Sequence, residues 1–346
     1  MTTLLLSGLA VTAAVCASLT AAVIPLLRRA RVVDVPGDRS LHRTPVPRGG
    51  GLAIVLAASL ATWTAVLAAV HLQGAVHAMS GVDVALMGLA TVLAFALLGL
   101  IEDLFSVSVR ARLVLQLVLG AGLGLVAHSA FEVSLWWTPA ICVGTAALVN
   151  ATNFMDGANG LACGHALLTS LWYVQVAAVA PVAGLGLVMV SVAGACLGFL
   201  PFNTPRAKVF LGDSGSYALG SAWAFAVTAC LSRGVAVEAA LAPVLVLLAD
   251  TGYTLWMRLR AGQCWYEPHR LHVYQRLVCA GWPHWASALL VTLAAAACSA
   301  LAASSLLTSN RLWMPQVAMA AVLILYLKMP SIIGAPNPFP TLRRAR

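Results

Sequence analysis

Apolar stretches of about 20 residues recur along nearly the whole chain, each long enough to cross a hydrocarbon layer of roughly 30 Å as a helix. Eleven can be delimited: Leu4 to Leu27, Gly51 to His71, Val84 to Ile101, Ala111 to His128, Trp136 to Val149, Leu167 to Val182, Leu185 to Phe202, Ser214 to Leu231, Ala239 to Met257, Trp285 to Leu306 and Trp313 to Leu327. The fifth and sixth are short, and Pro181, Gly184 and Gly186 form the only break between the sixth and seventh, so ten or eleven spans are predicted. Only 9% of the 346 residues are charged, against roughly 25% in ordinary soluble domains. No soluble domain fits between the spans. The chain reads as one integral membrane domain, 1–346, ending in a basic tail at 343–346. Nothing basic precedes the first apolar run, which exceeds the usual 7 to 15 residues of a signal-peptide core, so it reads as an uncleaved span.

Alternating spans with the N-terminus outside place 18 of the 20 Lys and Arg residues on inner loops or the tail, leaving Arg233 and Arg311 outside. Lys and Arg bias sets orientation, so this split supports both the span count and the side. The formal net charge of +9 is then explained by topology and anionic lipid headgroups rather than by nucleic-acid binding. The acids follow the same map: Asp34, Asp38, Glu102, Asp103, Asp156, Asp213 and Glu267 fall in or beside inner loops, and Asp83, Glu132 and Glu238 outside. Acids gathered on a basic face point to a site for a metal and an anion. The eight cysteines are scattered, mostly in apolar stretches, and suit core packing rather than disulfides or zinc.

Five inner segments carry the chemistry. The first runs from Asp34 to Gly51, where Arg39, His42, Arg43 and Arg48 supply cationic donors and three glycines allow backbone N–H groups to approach a phosphate. The second puts Glu102 and Asp103 side by side at the inner end of the third span. Ionisable groups there are costly, and the pair is expected to face a metal or an exchanging proton. The third contains Asn150, Asn153, Asp156 and Asn159 at intervals of three, which on a helical turn share one face. Carboxylate and amide oxygens of this kind suit hard Mg²⁺. In the fourth, Asp213 stands between Gly212 and Gly215 at a helix start, near Arg206 and Lys208, either as an N-cap or in an anion site. The fifth holds His269, Arg270, His272 and Arg276, a set able to grip a phosphate; His-x-x-His without further spaced ligands is a poor zinc site.

On the Pro-Arg-Gly-Gly-Gly loop, the adjacent acids, NATNFMDGANGL, FLGDSGS and HRLHVYQRL, from about Asp34 to Arg276, the chain resembles the polyprenyl-phosphate N-acetylhexosamine-1-phosphate transferases of glycosyltransferase family 4, which include the bacterial translocase that makes peptidoglycan lipid I. The resemblance implies an all-α polytopic fold of ten or eleven helices in a bacterial inner membrane, with an active site built of cytoplasmic loops. It implies transfer of a phospho-sugar from a UDP-N-acetylhexosamine to polyprenyl phosphate, dependent on Mg²⁺ or Mn²⁺. It further implies Asp213 and Asn153 as metal ligands, Asn159 at the uracil, Asn203 and His272 at the nucleotide or its pyrophosphate, and Glu102 and Asp103 in place of the family's paired aspartates. It leaves a homodimer open, and the histidine loop resembles the branch serving O-antigen or other envelope polysaccharides. Two readings compete. One is the phospho-MurNAc-pentapeptide transferase of the same family. The other is a secondary transporter with an intramembrane acid such as Asp250, although transporters place their sites near the midplane between repeats and no repeat is visible.

Overall fold

The computed structural model describes residues 2–36, 41–42, 44–73, 75–180, 182–267, 269–307 and 313–336. Asp38, Arg39, Arg43, Arg311 and the tail at 343–346 lie outside the described residues. The elements run α1 (Thr2–Arg29), β1 (Val33–Asp34), β2 (Val46–Pro47), α2 (Gly51–Gln73), α3 (Ala75–Leu104), α4 (Val109–Phe131), α5 (Thr138–Phe154), α6 (Leu161–Val179), α7 (Leu185–Asn203), α8 (Gly212–Ser232), α9 (Val237–Leu241), α10 (Leu245–Arg260), α11 (Val273–Cys279), α12 (His284–Ala302), α13 (Ser304–Leu307) and α14 (Trp313–Ile332). Each predicted apolar segment falls on helix, so the all-α expectation holds, and nine helical segments among the described residues are long and apolar enough to cross a membrane. Lipid is the solvent for their outer faces: Leu56, Leu60, Trp63 and Leu67 form an exposed apolar stripe along α2.

The two remaining segments are α5 and α8. With 17 residues α5 extends only about 25 Å. Nearly every residue of α8 is buried, because α2, α3, α4 and α5 surround it. Close approach depends on small residues, as it does wherever membrane helices pack without a hydrophobic driving force. A Cβ on Gly99 of α3 would stand 2.2 Å from the carbonyl oxygen of Asp213, so α3 and α8 touch backbone to backbone.

The ninth predicted span is broken. α9 ends at Leu241, a 3₁₀ turn covers Ala242–Val244, and Pro243 there has no N–H to continue a helical ladder. Carbonyls freed by such a break must find donors inside the protein. α6 provides them: Trp172 Nε1 donates to Ala239 O at 2.9 Å, Tyr173 Oη to Ala240 O at 2.8 Å, and His165 Nε2 to Pro243 O at 2.7 Å. Five cysteines are buried as core residues, but Cys264 and Cys279 are exposed, so packing does not account for those two; all eight are free.

The segment after α1 forms the scaffold of the site. β1 and β2 pair antiparallel, Val33 with Pro47 and Asp34 with Val46. Beyond β2, Phe210 N donates to Pro47 O at 2.8 Å and Gly50 N to Phe210 O at 2.9 Å, joining the first predicted inner loop to the fourth.

Candidate active site

Arg48 follows β2 and is carried against the start of α8 by the Phe210 pairing. Its Nε donates to Asp103 Oδ1 at 2.9 Å and its Nη2 to Asp213 Oδ2 at 2.7 Å. One guanidinium therefore joins the second and fourth motifs from the first. Burial works against the Arg48 charge, but the carboxylates of Asp213, Asp103 and Asp34 outweigh that penalty and raise its pKa.

Asp103 is used more fully than its position beside Glu102 suggests. Besides Arg48, its two oxygens accept the N–H groups of Asp213 and Ser214, both at 2.9 Å. It caps α8 from another helix, satisfying donors that a helix start leaves open. Gly212, at φ +78°, turns the chain so that this carboxylate can reach the helix end. Asp213 is thus a first-turn residue of α8, not its cap. Glu102 points elsewhere, since successive helical residues diverge by about 100°: its Oε1 meets Arg112 Nη1 of α4 at 3.3 Å. The adjacent acids therefore hold different partners.

The third motif reaches Asp213 through Asn153, whose Nδ2 donates to Asp213 Oδ1 at 2.7 Å and to Ser216 Oγ at 3.0 Å. The expected single helical face is not seen. α5 ends at Phe154, and Gly157 and Gly160, the latter at φ +78°, turn the chain before α6. Asn150 lies a turn deeper and donates to Gln116 Oε1 of α4 at 2.5 Å. Asp156 and Asn159 come to the site on the turn instead. Lost hydration, and then repulsion from Asp213 and Asp103 that Arg48 only partly offsets, pushes the Asp156 carboxyl well above the usual carboxylate range.

A cavity of about 320 Å³ opens over these groups. Eight of the polar residues singled out in the sequence line it: Asp34, His42, Arg48, Asn153, Asp156, Asn159, Asn203 and Asp213. The Asn203 amide is committed to backbone, its Oδ1 accepting Gly160 N–H at 2.7 Å and its Nδ2 donating to Val209 O at 3.0 Å, so it ties the third motif to the fourth. Asn159 Nδ2 donates to Pro205 O at 3.1 Å. Arg206 and Lys208 are exposed and outside the lining.

The histidine segment lies behind the cavity. His269, Arg270 and His272 are not among its lining residues. His272 is buried and bonded to Asp250, and burial, then the neighbouring His272 and Arg258, lower the His269 pKa to about 3. What this region contributes instead is Gln275 from α11 and His284 from the start of α12. His284 Nδ1 accepts the Asn159 N–H at 3.2 Å. Gln275 falls within HRLHVYQRL but carries no charge to single it out there, and the only signal for His284 is a lone histidine after Pro283 at a helix start.

Residues 85–231 match the family described as Glycosyl transferase family 4. The decaprenyl-phosphate N-acetylglucosaminephosphotransferase of Mycobacterium leprae is 31% identical over 78% of this chain and 75% of its own. A probable undecaprenyl-phosphate N-acetylglucosaminyl 1-phosphate transferase of Bacillus subtilis is 27% identical over 78% of this chain and 77% of its own. The phospho-N-acetylmuramoyl-pentapeptide-transferase of Desulforudis audaxviator is 33% identical over 57% of this chain and 68% of its own.

Proposed function

The chain belongs to glycosyl transferase family 4, and from that premise we propose that it transfers N-acetylhexosamine 1-phosphate from a UDP-sugar to a polyprenyl phosphate, releasing UMP. The observation that carries the reading is the Arg48 bridge to Asp103 and Asp213 at a cavity shared with Asn153 and Asp156. A cation and several hard oxygen donors set together suit a diphosphate and its counter-ion. Mg²⁺ usually takes one or two carboxylates and leaves the rest of its shell to water and substrate phosphate. Asp213 and Asn153 fit that requirement, with Asp156 on the same wall. When bound, the metal would neutralise charge on the pyrophosphate, the main demand of phosphoryl-type transfer.

An oxygen of the carrier phosphate attacks the phosphorus that bears the sugar; the P–O bond to UMP breaks and a new diphosphate link forms. Arg48 orients the donor phosphates, and Asn159, Gln275 and His284 stand where the nucleotide end would lie. A single displacement is favoured because both Asp103 oxygens already hold backbone N–H groups, leaving it poorly placed as a nucleophile. Trapping a phospho-sugar on the protein without carrier would overturn that.

The greasy acceptor has a place as well. An apolar cavity of about 930 Å³ runs between α5, α8, α9 and α14, from Trp137 and Val237 inward to Leu148 and Leu248. Leu148 precedes Asn153 by five residues on α5, about 7.5 Å along the axis. A polyprenyl chain in this cavity would present its phosphate toward Asn153. The Lys and Arg bias supports a cytoplasmic site in a bacterial inner membrane.

The test is purified protein with undecaprenyl phosphate and a panel of UDP-sugars, following UMP release with Mg²⁺, Mn²⁺ or EDTA. UDP-N-acetylglucosamine and its 6-deoxy relatives are expected to serve. The similarity to pentapeptide transferases supports a second reading, so UDP-MurNAc-pentapeptide belongs in the panel, and its exclusive use would replace the first. No UMP from any donor would defeat both.

A further inference from the structure

Asp250 lies within the span formed by α9 and α10 and is fully buried, yet the chemistry above does not use it. An acid at membrane depth is costly unless internal donors surround it. Four groups do so. His272 Nδ1 meets Oδ1 at 3.0 Å, Val273 N–H donates to both oxygens at 3.1 and 3.2 Å, Thr254 Oγ1 donates to Oδ1 at 3.2 Å, and Tyr326 Oη donates to Oδ2 at 2.7 Å. Two of these four donors, His272 and Val273, stand at the N-terminus of α11.

What α11 does next gives the carboxylate a purpose. Tyr274 Oη donates to Phe154 O at 2.8 Å, next to Asn153. The same hydroxyl presses on the following turn, where a Cβ on Gly157 would come within 2.1 Å of it. Gln275, beside Tyr274, accepts the His272 N–H at Oε1 and lines the donor cavity. α11 has only seven residues, too few to hold its place by its own ladder, so its anchorage must come from outside. Phe154 and Tyr274 also flank the His272 ring at centroid distances of 6.1 and 6.0 Å.

We propose that Asp250 is a positioning residue: by holding His272 and Val273 it fixes α11, and through Tyr274 and Gln275 it sets the Asn153–Gly157 turn and the wall of the donor cavity. The inference rests on the proposed use of a UDP-sugar. Asp250 touches no substrate. Its carboxylate is the acceptor that lets one short helix be both buried and directed, and a fully satisfied buried network of this kind rigidifies what it joins.

The experiment measures equilibrium binding of UDP-N-acetylglucosamine, or of whichever donor the panel selects, by calorimetry on detergent-solubilised full-length protein, alongside the melting temperature of each variant. Asp250→Asn and Tyr274→Phe are each expected to weaken binding about tenfold. Because they lie on one line of contact, the double variant should lose little more than the worse single, as coupled sites do. Unchanged binding by a folded Tyr274→Phe variant, or losses that multiply in the double variant, would overturn the inference. Should Asp250→Asn fail to fold, Tyr274→Phe alone decides. Failure of the wild-type protein to bind any UDP-sugar would instead count against the functional reading.

Discussion

Arg48 and Asp213 are 165 positions apart in the chain, yet the guanidinium Nη2 and the carboxylate Oδ2 lie 2.7 Å apart. The contact requires the segment after β2 to run beside Phe210, and it places the same cation on Asp103. Acids crowded at the end of a buried helix are thereby compensated while one face of Asp213 remains at the cavity.

Replacing Asp213 by Asn keeps the shape and the Asn153 contact but removes the charge that Arg48 and a metal would meet. Donor-dependent UMP release should fall at least about 100-fold, the scale of losing one preorganised electrostatic group. The melting temperature should move little by comparison. A variant of normal rate would remove Asp213 from the site.

The Arg48 bridge uses two different nitrogens of one planar group, which a lysine cannot reproduce. Arg48→Lys should therefore lose activity on the order of 10-fold or more even though the charge is kept, a loss on the scale of one or two charge-assisted hydrogen bonds. The check is kcat and KM for the UDP-sugar. Full activity in the lysine variant would show that only charge matters there.

Gly212 holds φ +78°, and a Cβ there would approach Asp103 Oδ2 to 2.8 Å. Gly212→Ala should cost roughly 1–2 kcal/mol from the left-handed backbone alone, with more from displacing the Asp103 cap. Thermal unfolding in detergent reads the first effect, and UMP release reads the second. Stability equal to the wild type would show that the turn relaxes.

His269 has its pKa depressed to about 3, chiefly by burial. Its neutral form is the one the folded protein prefers, so its contribution to stability is complete above its unfolded pKa of roughly 6.5. That contribution is lost as pH falls from there toward 3. His269→Gln should leave activity between pH 6.5 and 8 within about twofold and make unfolding less sensitive to acid below pH 6. A steep loss of activity at pH 7.5 would mean that His269 contacts substrate after all.

Much was legible in the chain itself. Apolar runs fixed where helices would form, because any segment in hydrocarbon must satisfy its own backbone, and the structure places a helix on each. The motifs marked loops that converge, since Arg48, Asn153, Asp156, Asn159, Asn203 and Asp213 line one cavity. The adjacent pair Glu102 and Asp103 takes separate partners for a local reason: neighbours on a helix diverge. The regular spacing of Asn150 to Asn159 misled because Gly157 and Gly160 end the helical period halfway along.

Hydrophobic period and glycine-rich punctuation are properties of near neighbours, so the amino-acid sequence alone determined the class of fold and pointed to loops that line the cavity. Which atoms face which was decided only by tertiary packing. Gly99 had to admit α8 before Asp103 could cap it, and Phe210 had to pair beyond β2 before Arg48 could reach either acid. Asp250 is the extreme case. Its donors come from α10, the start of α11 and α14, the farthest 76 positions along the chain, and no local pattern foretells that an acid inside a membrane span will be met there.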